Sequence, residues 1–521
     1  MRYFDIRWQW FSFAPIAIPV YALVATLQAL AVVNPLVVQD EYVYFVTGLN
    51  FVNLDFLYTN TPTMVRTTNY IYLALINIVG RLTAAPDTAL KVFQIASICL
   101  SAWVVTTLIK TKLGDSLSKP FDSIPAFLLL FLLLWPSNTF GVFVMPDILY
   151  FDVFLIGFSL VVSKIRSWEW QVAAFGCIAG LLFHIKPHAL FLFISLLCAI
   201  VGMKLIWWST ISVISLLRAS ILACVCFGSV VALTKIFFML TIKLPESNLI
   251  GTFYSNYLSN SMVLLYLAIP NLVRPLINFV LGSLTVVGPC LIYIVWILSR
   301  AAGSSRRAQM SGLPAYLAFP SLLCVICWFI LVVGITIVVF ADPNEDHARI
   351  HLRYVAFTFP AFFISALLLF MWVRKRVQEG ATEWAEPPIL KWAMAMTWSI
   401  PAMYFVWRVD KLSLYYSDAP DLFSMYSGHI HLTHAVFGSN MKWVSASLIL
   451  VASGWIVLRP HTWVKTYLFT SIILFFFATL NLAGSNEKSP RRTANSGYLE
   501  TSPHLFVQTR KRLRFLQSTK C

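Results

Sequence analysis

Residues 310–341 read MSGLPAYLAFPSLLCVICWFILVVGITIVVFA, with no Asp, Glu, Lys, Arg or His among them. About twenty such residues cross the hydrocarbon of a bilayer as a helix. The run stops at Asp342-Pro343-Asn344-Glu345-Asp346-His347-Ala348-Arg349-Ile350-His351-Leu352-Arg353-Tyr354, where polar chemistry is concentrated. From Val355 the chain is apolar again for another helix length. An apolar crossing, a charged rim and a second crossing define a membrane hairpin.

The whole chain repeats this grammar. Of its 521 residues 59% are apolar and 12% charged, and mean hydropathy is +0.77. A soluble domain carries roughly 45–50% apolar and ~25% charged residues. So little charge cannot coat a water-soluble surface of this size, which excludes a solvated enzyme, a secreted disulfide scaffold and a disordered chain. Thirteen apolar runs are candidate crossings: 11–37, 89–109, 123–141, 146–163, 170–185, 187–203, 219–240, 275–299, 317–340, 355–373, 391–407, 443–458 and 466–484. The fold class expected is all-α, a polytopic transmembrane bundle of about 11–13 helices. The first of them follows Arg2 and Arg7, and its charge-free stretch from Trp8 to Gln39 is too long for a cleaved signal peptide.

Charge asymmetry sets the orientation. With the N-terminus in the cytoplasm, the inner loops hold 18 Lys and Arg in 80 residues, against 12 in the remainder before Ser485. That is the positive-inside pattern. The formal charge of +16 is therefore assigned to lipid headgroups, and no nucleic-acid partner is expected. The outer loops 38–88, 241–274, 341–354 and 408–442 are the long ones. In the first of them, aromatics mixed with charge from Asp40 onward predict interfacial helices lying along the membrane. Thirteen crossings would put the basic tail 485–521 outside as well. Eight of the nine cysteines lie inside apolar runs and read as small hydrophobes, including the Cys324-Val-Ile-Cys327 pair.

Four outer sites carry ionisable groups that lipid would not tolerate without a reason. Asp40 and Glu41 follow the first crossing. They read either as a solvated loop or as a base or ligand at the bilayer surface. Met145-Pro146-Asp147 opens a later crossing, where an acid in the first turn also serves as a helix-end charge. Asp152 lies deeper in the same run. His184-Ile185-Lys186-Pro187-His188 places a lysine between two short apolar runs, either snorkelling or holding a phosphate. Arg349, His351 and Arg353 alternate, so an extended segment would turn them to one side, and arginine forks match phosphate oxygens. His429, His431 and His434 have a spacing that fits no standard zinc pattern and read as a polar loop. There is no Walker A loop, Rossmann glycine pattern, HExxH or GxSxG.

The ordered set is an acidic pair after helix one, Pro-Asp at a later outer hairpin, Lys-Pro between short helices, and Arg-Tyr ahead of Pro360. It resembles the GT-C superfamily of integral-membrane glycosyltransferases. Within that superfamily it is most similar to the bacterial branch related to protein mannosyltransferases and to the aminoarabinose or galacturonic acid transferases of lipid A. The resemblance covers about residues 1–375, which it marks as a catalytic core. Residues 376–484 would be additional crossings with the outer loop 408–442, and 485–521 a polar tail. The resemblance implies transfer of a sugar from a polyprenyl-phosphate donor to a lipid, glycan or protein acceptor on the outer face. It implies Asp40 as the catalytic acid residue with Glu41 beside it, and Asp147 as the second acid. Lys91, Lys186, Arg349, His351, Arg353 and Tyr354 would form the substrate-binding set. His351-Leu352-Arg353-Tyr354 departs from the family's usual Glu-Arg-Tyr run.

The chemistry agrees with this reading. An anionic donor with a lipid tail needs cations at the membrane edge, because its leaving group is a phosphate. The acceptor hydroxyl needs a base, which a carboxylate supplies. A second carboxylate would orient the acceptor or hold a divalent metal, the one cofactor considered. Attack opposite the phosphate inverts the anomeric centre. The competing expectation is a transporter or flippase of lipid-linked sugars, which calls for repeats and mid-membrane charges. The motif set and the lack of N-x-S/T sequons favour a bacterial inner membrane with a periplasmic site.

Overall fold

The computed structural model describes residues 10–31, 44–45, 48–49, 51, 69–114, 123–135, 138, 145–206, 211–242, 251–305, 313–340, 352–408 and 440–484. Among these there are fourteen helices of ten residues or more and no strand. In chain order they are α1 (Trp10–Ala31), α2 (Tyr70–Leu82), α3 (Pro86–Leu113), α4 (Ile124–Leu133), α5 (Asp147–Lys164), α6 (Trp168–Phe183) and α7 (Ala189–Ile206). There follow α8 (Val213–Ile242), α9 (Gly251–Ser305), α10 (Ala315–Phe340), α11 (Phe359–Gln378), α12 (Pro388–Arg408), α13 (Met441–Leu458) and α14 (Trp463–Gly484). Each of the thirteen apolar runs has a helical counterpart, and α2 is the additional helix within the first outer loop.

The protein is a polytopic helical membrane bundle. Among the described residues, six helices are long and apolar enough to cross a bilayer: α3, α8, α9, α10, α11 and α13. Large apolar side chains on the rim face outward, among them Leu27, Val213, Leu233, Leu240 and Val451, each more than half exposed. In water such a surface would aggregate; in lipid it is the solvated face.

The hairpin read from residues 310–373 places α11 at the centre. The most apolar 18-residue stretch within Ala356–Gln378 is 94% buried in the protein, whereas that of α8 is only 17% buried. α11 packs against α3, α5, α9 and α10, and α14 returns to α4 to close the far side. Helix packing in lipid relies on close backbone approach and polar contacts. Both are present. On α6, Gly176 and Gly180 sit four apart, and an added Cβ would meet the Ala223 and Phe227 carbonyl oxygens of α8 at 2.9 Å in each case. On the other side, Trp398 Nε1 of α12 donates to the Thr285 carbonyl of α9 at 2.8 Å. Tyr404 donates to Asn278 Oδ1 at 2.6 Å, and Tyr467 of α14 donates to the Val286 carbonyl.

Two boundaries differ from the sequence expectation. The run 123–141 supplies only a ten-residue helix, because Trp135 precedes Pro136 and a residue before proline disfavours the helical region. The carbonyls left at its end are satisfied by Asn138, whose Nδ2 donates to Leu132 and Leu133 at 2.7 and 3.1 Å. The expected outer loop 241–274 is largely the first part of α9, which runs unbroken from Gly251 to Ser305.

Candidate functional site

Three chain segments far apart in sequence end at one cleft. Each lies at the N-terminal end of a helix. Pro146-Asp147 starts α5, and Lys186-Pro187-His188 precedes α7. Two short 3-10 turns, Leu352–Tyr354 and Ala356–Thr358, lead into α11. The cleft, with about 390 Å³ of empty space that includes its opening to solvent, is lined by Asp147, Tyr150, Phe151, Lys186, His188, Arg353, Tyr354, Ala356 and Phe357.

Local sequence explains each placement. Pro146 stands directly before α5, a position that suits a residue with no amide to donate. Asp147 therefore projects from the first turn of α5. The link after α6 is a tight turn, with the Lys186 amide donating to the Leu182 carbonyl at 2.8 Å and the Ala189 amide to the Lys186 carbonyl at 3.1 Å. Pro187 keeps α6 and α7 from fusing, which leaves Lys186 between them instead of inside a helix. Pro360 in the first turn of α11 does the same for the Arg353-Tyr354 turn.

Charge is organised around one ion pair. Lys186 Nζ lies 2.5 Å from Asp147 Oδ1, with both side chains about one-tenth exposed. The Lys186 ammonium also sits 5.0 Å from the centre of the Tyr354 ring. The Arg353 guanidinium is 5.0 Å from the same ring, and its Nη2 donates to Tyr354 Oη at 3.1 Å. His188 stacks on Tyr354 with ring centres 4.6 Å apart and 20° between planes. Burial, reinforced by the Lys186 and Arg353 charges, holds His188 well below the usual imidazole range, so it is a neutral wall of the cleft. The opposite wall is aromatic, with Tyr150 edge-on to Phe357 at 4.9 Å. Lys186 is thus paired with Asp147, and Arg353 brings a second cation to the cleft.

The first outer loop braces this arrangement. Gln94 Nε2 on α3 bridges Tyr72 Oη of α2 and the carbonyl of Met145 at 3.1 and 3.0 Å, which fixes the residue ahead of Pro146-Asp147. The Ile71 amide of α2 donates to the His184 carbonyl at 3.1 Å. His184 itself is a core residue, stacked on Tyr70 and bonded through Nε2 to the Val231 carbonyl.

Of the candidates taken from sequence, Asp147, Lys186, Arg353 and Tyr354 meet in the cleft. Lys91 is buried in α3 and is not one of the lining residues. Asp40, Glu41, Arg349 and His351, like His429, His431 and His434, lie outside the described residues. His188, Tyr150, Phe151 and Phe357 were not among the chosen candidates. His188 alone carried a signal, since it follows Lys186-Pro187 directly. Among the described residues no three His, Cys, Asp or Glu gather as metal ligands. Asp147, the one carboxylate of the cleft among them, is engaged by Lys186, and these residues do not fit a divalent ion.

Fold and site together define a polytopic membrane protein with a cationic, aromatic-walled cleft where three helices begin. No family model matches the chain, and no curated protein matches it. Among solved structures it is similar to ArnT from Cupriavidus metallidurans bound to undecaprenyl phosphate. That match has 14% identity and a TM-score of 0.43, covering 91% of this chain and 77% of ArnT.

Proposed function

We propose that the protein is a membrane glycosyltransferase. It would take a sugar from a polyprenyl-phosphate donor and pass it to a lipid, glycan or protein acceptor at the outer face. The observation that carries this reading is the meeting of Asp147, Lys186 and Arg353, from three distant segments, in one cleft at a helix-end level.

The cleft suits a lipid-linked phosphodiester. Such a donor is anionic, and Lys186 and Arg353 bring two cations to the cleft. Its tail must remain in lipid, and the cleft belongs to a bundle whose rim is apolar. Three helix N-termini add partial positive charge toward an anion. As the glycosidic bond breaks, a second charge develops on the departing phosphate. Arg353 and Lys186 then stabilise the transition state more than the bound donor, which is the condition for catalysis. Asp147 holds Lys186 in place and keeps the resting site from being overly cationic.

In this reading Asp40, with Glu41 beside it, is the general base that removes the acceptor proton, and displacement inverts the anomeric carbon. Arg349 and His351 would extend the phosphate-binding face, and Lys91 would contribute from α3. The membrane would be a bacterial inner membrane, with the site on its periplasmic side.

The test uses the purified full-length protein in nanodiscs with a synthetic polyprenyl-phosphate sugar. Arg353→Ala is expected to weaken donor binding by about 10- to 100-fold, the range for removing one charge-assisted contact. Asp40→Asn is expected to abolish turnover while leaving donor binding near wild type. Wild-type-like binding by both Arg353→Ala and Lys186→Met would refute the assignment.

A further inference from the structure

α5 carries a second acid that the cleft does not use. Asp152 is 2% exposed and faces α3, where its Oδ2 accepts a hydrogen bond from Ser97 Oγ at 2.5 Å. Ser101 lies one turn along α3, is 1% exposed, and is close enough to act on the same carboxyl. Neither Ser101 Oγ nor Asp152 Oδ1 has a hydrogen-bond partner among the described residues. Several buried hydroxyls elsewhere in the bundle bond back to their own helix: Thr106 to Ala102, Ser283 to Phe279, Ser321 to Leu317. Ser97 and Ser101 make no such bond and are left for Asp152.

No Lys, Arg or His forms an ion pair with Asp152 among the described residues. The ionisable groups beside it are Tyr21 of α1 and Cys99 of α3. An ionised carboxylate at this depth, without a cation, is costly. A carboxylic acid fits the same surroundings. One of its oxygens accepts from Ser97, and a small rotation of the side chain would bring its O–H to Ser101 Oγ and satisfy the orphaned Oδ1.

We propose that Asp152 is held as a neutral carboxylic acid and is a positioning residue for the cleft. By bonding to Ser97, with Ser101 on the same face of α3, it fixes the rotation and depth of α5. Asp147 lies five residues earlier on that helix, about 7.5 Å along its axis. Tyr150 and Phe151, which also line the cleft, lie between the two acids. A turn of α5 would displace all three lining residues together. The proposal rests on the reading of the cleft as a donor site.

The experiment has two arms on the full-length protein in nanodiscs. The first is infrared difference spectroscopy of wild type against Asp152→Asn at neutral pH. A carboxylic acid carbonyl band present only in wild type is expected. The second is binding of the synthetic polyprenyl-phosphate sugar. Asp152→Asn keeps one acceptor and one donor and should bind within about twofold of wild type, while Asp152→Leu should lose about tenfold. If Asp152→Leu fails to fold, the Ser97→Ala/Ser101→Ala double variant replaces it, with the same expected loss. A missing band, or an asparagine variant as impaired as the leucine one, overturns the proposal. Should wild type bind no polyprenyl phosphate, the donor-site reading fails. The infrared band and the thermal midpoint, held by Asp152→Asn and lowered by Asp152→Leu, then decide the helix clamp.

Discussion

Single residues in this protein act through what lies beside them. Lys186 would be a liability between two apolar helices without Asp147, and Asp147 without Lys186. Removing one member of such a buried pair leaves an uncompensated charge and costs about 3–5 kcal/mol. Lys186→Met is therefore expected to lower the thermal midpoint, and Lys186→Met/Asp147→Leu to recover much of it. A double variant no more stable than the single one would show that the pair is not coupled.

At the opposite end of α11, in the link before α12, Glu386 shows the same dependence on surroundings. Burial pushes its carboxyl up to about 7, against the opposing effects of a hydrogen bond with Tyr293 and the charge of Lys391. The folded pKa lies above the unfolded one, so the stabilisation is complete below the unfolded value and is lost as pH rises through about 7. Stability in detergent should thus fall between pH 5 and 8, and Glu386→Gln should flatten that slope. A variant with the wild-type slope would rule Glu386 out as its source.

Elements meet where side chains are small or polar. α6 approaches α8 through Gly176 and Gly180, whose Cβ positions are occupied by backbone oxygens of α8. Because the obstacle is backbone, a larger residue cannot be accommodated by a rotamer change. Gly180→Leu should force α6 from α8 and destabilise by about 1–3 kcal/mol, the usual cost of overpacking. The Lys186 link begins at the end of α6, so donor binding should weaken in the same variant. Gly228, with open space around its Cβ position on α8, is the control: Gly228→Ala should leave both stability and binding unchanged.

Across the whole molecule the cleft lies at one membrane face. Asp147 and Lys164 bound α5, and eighteen helical residues span about 27 Å, close to the hydrocarbon thickness of a bilayer. Lys110, Lys112, Lys164 and Lys375 all fall in last turns of their helices, at ends opposite the cleft. Cysteines introduced at Ala85, beside α2, and at Gly380, after α11, should react with a membrane-impermeant thiol reagent from opposite sides in a cysteine-free background. Ala85→Cys should be labelled from outside. Labelling of both from one side would refute their placement at opposite faces, and labelling of Ala85→Cys only from inside would invert the topology.

The sequence alone determined the class of fold, because hydropathy and length are properties of contiguous residues. Thirty-two positions without a charge can only be a crossing, and thirteen apolar runs of about helix length can only be a bundle. It also showed Asp147, Lys186, Arg353 and Tyr354 to be anomalous, since an ionisable group at an apolar boundary stands out in one dimension. It did not show that Lys186 holds Asp147, or that His188 and Phe357 complete the walls. His188 is marked only by following Lys186-Pro187, and Phe357, an aromatic in an aromatic-rich membrane protein, carries no signal. Their roles arise when α5, α7 and α11 begin at the same depth around a buried centre. That depth is set by packing between helices, by the glycine contacts and by the serines around Asp152. Such contacts join residues tens to hundreds of positions apart, and no local pattern in the chain encodes them.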